Sequence, residues 1–96
     1  MDRTLLYAKK AGILGKIVTN YRKERQALLD KKPDEFRKIL KERAILIDAL
    51  REVNQLDQEQ TQSPSPIQFL QEKYVEDLIL TITEEREKNN GLFPHY

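Results

Sequence analysis

One histidine, His95, and no cysteine leave this 96-residue chain little with which to do metal or nucleophilic chemistry. A three-histidine or HExxH zinc site cannot be assembled from a single imidazole. A Ser-His-Asp triad would have to draw on His95, one residue from the end of the sequence. Carboxylates are plentiful, but neighbours such as Glu84 and Glu85 point to different sides of a helix and read as solvated surface. Gly12-Ile13-Leu14-Gly15-Lys16 superficially suggests a phosphate loop. The Walker pattern needs GxxxxGK[ST], whereas here the spacing is GxxGK and Ile17 follows. A KH-type GxxG loop needs flanking strands, and no stretch alternates with period two. We therefore expect no catalytic residues, no metal and no cofactor, and read the chain as a binding protein and not an enzyme.

Composition narrows this further. Charged residues make up 34% and hydrophobic ones 39%, with three Gly, four Pro and no Trp, the profile of a soluble helical or coiled-coil protein. A chain this short makes one domain with a small core. No apolar run approaches the roughly 20 residues of a membrane span, and the first residues lack a signal-peptide core, so a cytoplasmic location is expected. The net charge of +1 hides an asymmetry. Residues 1–32 carry nine Lys or Arg against three acids (+6), and residues 33–96 carry eight against thirteen (−5). The basic front could complement the acidic back within a bundle or a dimer, or meet an acidic partner or nucleic acid.

The elements that position these charges are helices. Residues 33–57 form the cleanest: Pro33 suits the first helical position, and Asp34 and Glu35 follow where the dipole favours acids. Phe36, Leu40, Ile47 and Leu50 make one apolar stripe; Ile39, Leu46 and Val53 make a second. Two adjacent stripes imply two neighbours. Residues 4–30 read as a first helix whose face is Leu6, Ala11, Leu14, Ile17, Tyr21 and Leu28, with Ile13 and Val18 beside it. Lys9, Lys10, Lys16, Arg22, Lys23 and Arg25 are assigned to its solvent side. Gly12 and Gly15 cost this helix roughly 1 kcal/mol each against Ala and mark a kink, a close contact or a short break. The turn at residues 31–32 is short, so the first two helices should be antiparallel neighbours.

Residues 58–65, ending Ser63-Pro64-Ser65, read as a linker, with Ser65 as N-cap, Pro66 at the first helical position and Gln68 closing a capping box. A third helix, 66–90, shows Ile67, Leu70, Tyr74, Leu78 and Ile82, flanked by Phe69, Val75 and Ile79, and ends before a C′ glycine at Gly91. The tail, 91–96, is largely apolar. The expected fold is all-α: an antiparallel bundle of three long helices with coiled-coil-like packing, in one domain that self-associates.

Two resemblances bear on function. Glu42 to Gln55 is loosely similar to the second helix of the all-helical chorismate mutases. Those enzymes converge several Arg and Lys on a buried dicarboxylate. Here the basic residues of the first helix are read as lying opposite its apolar stripe, so that activity is not expected. Glu24 to Leu50, ERQALLDKKPDEFRKILKERAILIDAL, resembles the flagellar export chaperones of the FlgN/FliT type. In that family a helix ends in a phrase like Arg25–Leu29. After a short turn, the next helix carries phrases like Ile39-Leu40-Lys41-Glu42-Arg43 and Leu46-Ile47-Asp48-Ala49-Leu50. The resemblance implies a cytoplasmic chaperone that holds the amphipathic terminal segment of a flagellar or type III secretion subunit before export. On that reading Ile39, Leu46, Val53, Val75 and Ile82 line the partner groove, and Leu92 and Phe93 cover it in the free protein. The alternative is a helical protein that binds nucleic acid through its basic first helix.

Overall fold

The computed structural model of the chain describes residues 3–58 and 66–92. They form three α-helices: α1 (Arg3–Leu29), α2 (Pro33–Gln58) and α3 (Pro66–Asn90). The fold is an all-α bundle, elongated at 48 × 20 × 19 Å. The linker 59–65, with the Ser65 cap, and the tail 93–96 lie outside the described residues.

α1 is continuous through Gly12 and Gly15, so the short break does not occur. Its C-terminus is closed by a Schellman motif. The Lys32 amide donates to the Ala27 carbonyl (3.0 Å) and the Lys31 amide to that of Leu28 (3.3 Å), with Lys31 at φ 55°. That left-handed residue reverses the chain and sends α2 back along α1. At the end of α3, Gly91 has no positive φ, so the expected glycine cap is not formed there. The Leu92 amide instead donates to the Asn89 carbonyl at 2.9 Å.

The arrangement corrects the centre of the bundle. α2 has the cleaner amphipathic pattern, yet α1 is the helix between two neighbours. α2 runs antiparallel to α1 and α3 runs parallel to it, as the pairs Arg43–Asn20, Tyr7–Glu72 and Arg25–Glu85 show. Among the described residues, no Cα of α2 comes within 8 Å of a Cα of α3. Both pack on α1 around Tyr7, Leu14, Ile17 and Val75, with Leu46 and Leu50 approaching from α2 and Leu78 and Ile82 from α3. A helix flanked on two sides spreads its apolar residues over a wide arc, which blurs its amphipathic signature.

Candidate functional site

The two apolar stripes of α2 are not used as expected: Ile39, Leu46 and Val53 turn to α1, and the other stripe is split, with Phe36 and Leu50 half-buried and Leu40 and Ile47 exposed. Ile39 and Val53 are buried against α1, Leu46 is half-buried against the same core, and Val75 and Ile82 of α3 join them. Three of these five are buried and two half-buried, and Ile39, Leu46 and Val53 each edge a shallow depression between α1 and α2 instead of a groove shared with α3. The exposed apolar side chains include Leu40 and Ile47 on α2 and Ile79 on α3, beside Ile45 and Leu56 on α2 and Leu70, Tyr74 and Leu80 on α3, so Leu70 and Tyr74 are not on the buried face expected for α3. Leu92 is exposed at the end of α3, and Phe93 lies outside the described residues.

A polar cluster explains this rotation. Asn20 and Glu24, one turn apart on α1, are both fully buried. Together they grip Arg43 of α2. Its Nε donates to Asn20 Oδ1 at 2.8 Å and its Nη2 to Glu24 Oε2 at 2.7 Å. The same guanidinium stacks 3.8 Å over the Tyr21 ring. Asn20 Nδ2 donates to the Ile39 carbonyl at 2.9 Å. Between α1 and α3 the device is repeated. Glu85 and Asn89, one turn apart on α3, grip Arg25 of α1, which donates to Asn89 Oδ1 at 3.0 Å and to Glu85 Oε2. Asn89 Nδ2 donates to the Tyr21 carbonyl (2.7 Å) and to Glu24 Oε1 (2.8 Å), which joins the two clamps into one network across three helices.

Two readings of the sequence are corrected here. Glu85 is buried, not solvated, and Arg25 is half-buried and bonded, not on the solvent side. The signal was present: Asn20, Glu24 and Ala27 are spaced to share the face of Ile17 and Leu28, and a polar residue on an apolar face must find partners. Two guanidinium groups do turn inward, as a dicarboxylate site would need. Each already holds a carboxylate of the chain, so the cluster ties helices together and presents no free cation to a substrate.

Arg43 also places the open apolar residues. Helical spacing puts Leu40 and Ile47 on the same flank of α2 as Arg43, whose guanidinium lies over the Tyr21 ring of α1. On α3, Glu85 pairs with the Arg22 guanidinium at 3.6 Å, and helical spacing puts Ile79 on the other flank of that helix. By that spacing Leu40, Ile47 and Ile79 border the space between α2 and α3, a wedge whose third side is α1, with Ile17 buried and Tyr21 half-buried. Buried Asn54 Oδ1 and Gln71 Oε1 have no hydrogen-bond partner among the described residues. No three-ligand metal cluster occurs among the described residues, and none of the described helices is long and apolar enough to cross a membrane. Compared with protein-family models, curated proteins and solved structures, the chain shows no match.

Proposed function

We propose that this protein binds an amphipathic helix of another protein, in the manner of a chaperone that holds the terminal segment of a flagellar or secretion subunit. The observation that carries the reading is the wedge. α2 and α3 both rest on α1 but not on each other, and helical spacing puts Leu40, Ile47 and Ile79, 40%, 36% and 45% exposed, on the flanks that border the space between them. Three helices so arranged occupy three corners of a four-helix bundle. A helix with apolar residues at i, i+3, i+4 and i+7 fits the fourth corner and buries those side chains. The nucleic-acid alternative is weaker, because Glu42 and Glu52 border the basic groove of α1 and repel phosphate.

The test is titration with a synthetic amphipathic peptide carrying leucines at that spacing. Saturable binding that survives 0.5 M salt is expected, as is its loss in the double variant Ile47→Asp/Ile79→Asp with helical circular dichroism unchanged. Salt-sensitive binding to an oligonucleotide, with no peptide binding, would replace the reading by the nucleic-acid one.

A further inference from the structure

The opposite side of the α1–α2 pair carries a second open groove, and the wedge has no part in it. Lys9, Lys16 and Lys23, seven residues apart, rise from α1, and Glu42 and Glu52 rise from α2. Lys9 and Lys16 form no ion pair among the described residues, and Lys23 reaches Glu42 only at 3.9 Å. The acidic flank of α2 also carries its most exposed apolar side chain. Ile45, 70% exposed, lies between Glu42 and Ala49 in helical spacing, and Leu56, 42% exposed, lies one turn beyond Glu52. Across the groove, a Cβ built on Gly12 or Gly15 would meet nothing within 4 Å. Nothing inside the chain requires these two glycines, although each costs α1 roughly 1 kcal/mol against Ala. The groove thus has large apolar side chains and acids on one wall, small residues and bases on the other.

We infer that this α1–α2 face is the contact surface for a second copy of the chain, in a two-fold dimer that sets Ile45 of each copy on the Gly12–Gly15 face of the other. A face with complementary halves is what an isologous contact requires. Charge also chooses the symmetry axis. A two-fold perpendicular to the helices lays α1 on α1 and opposes Lys9, Lys16 and Lys23 to themselves. A two-fold parallel to the helices lays each α1 antiparallel on the other copy's α2, so that the lysine row meets Glu42 and Glu52. Ile45 then falls level with Gly15, because in the antiparallel α1–α2 pair Leu46 lies level with Gly15 and Lys16. The area suffices: two adjacent helices about 40 Å long and 9–10 Å apart present about 800 Å² per copy, a standard interface.

Sedimentation equilibrium of the full chain tests this, and peptide binding in the wedge is scored separately. The expected result is a monomer–dimer equilibrium weakened about 100-fold by Ile45→Asp. Gly12→Leu should also lose the dimer while helicity and the thermal midpoint hold or rise, since its side chain enters open space in the monomer. Lys9→Glu/Lys16→Glu and Glu42→Lys/Glu52→Lys should each be monomeric alone and form a heterodimer when mixed. A wild-type monomer at every concentration overturns the inference. So does a dimer indifferent to Ile45→Asp and Gly12→Leu, or a mixture of charge variants that stays monomeric.

Discussion

The two ends of α1 are held by different physics. Towards its N-terminus, Tyr7, Leu14 and Ile17 meet Val75, Leu46 and Leu50 in an apolar core. Towards its C-terminus, Asn20, Glu24 and Arg25 meet Arg43, Glu85 and Asn89 in a hydrogen-bonded cluster. Apolar contact supplies free energy but tolerates sliding and rotation, because one Leu packs about as well against Ile as against Val. The polar end is directional. A guanidinium that must reach Asn and Glu one turn apart fits in one register only. The same polar end contributes less net free energy, since its groups were well solvated before folding. The core end therefore drives association, and the polar end decides which faces associate.

The largest effect that would break this comparison comes from Glu24→Ala. It leaves Arg43, 14% exposed at its side chain, without its carboxylate and deprives Asn89 of an acceptor. Urea unfolding should show a loss of about 3–4 kcal/mol, in the range found when one partner of a buried pair is removed. A loss under about 1 kcal/mol would mean that the clamp is decoration. Leu14→Ala should cost about 3 kcal/mol at the apolar end, from lost burial and the cavity left behind. Its helix register should persist, so amide exchange near Asn20 should keep its pattern.

Replacing Glu24, Arg43 and Asn89 together by Leu, Met and Leu sharpens the distinction. Stability should stay within about 2 kcal/mol of wild type, as for other buried ion pairs exchanged for apolar residues. Side-chain NMR dispersion should fall as α2 loses its fixed rotation. Lys31→Gly should stabilise the chain by about 1 kcal/mol, since it relieves a non-glycine residue of its left-handed conformation. Arg37→Ala removes only the exposed pair with Asp34 at 3.5 Å and should shift stability by less than about 0.5 kcal/mol.

Much of the fold was legible because helix formation is local. Pro33 and Pro66 open α2 and α3. The periodicity of Leu6, Leu14 and Ile17 marks the inner face of α1. Of the candidate site, less was legible. Ile39, Leu46 and Val53 form one stripe and Leu40 and Ile47 another, and periodicity ranks both alike. The first packs on α1, whereas Leu40 and Ile47 of the second stay exposed and its other members, Phe36 and Leu50, are half-buried. The buried roles of Glu85 and Asn89 were hidden in a run of charges, EEREKNN, that looks like solvated surface from any single helix.

The chain alone determines three helices, their limits and the positions that want to leave water, since propensity, capping and hydrophobic spacing act within a few residues of one another. Which stripe goes in, and which helix stands between the other two, is settled only when residues some 20 to 65 positions apart are brought together. There a bond such as Arg43 to Glu24 or Arg25 to Asn89 selects one rotation from several of nearly equal apolar burial.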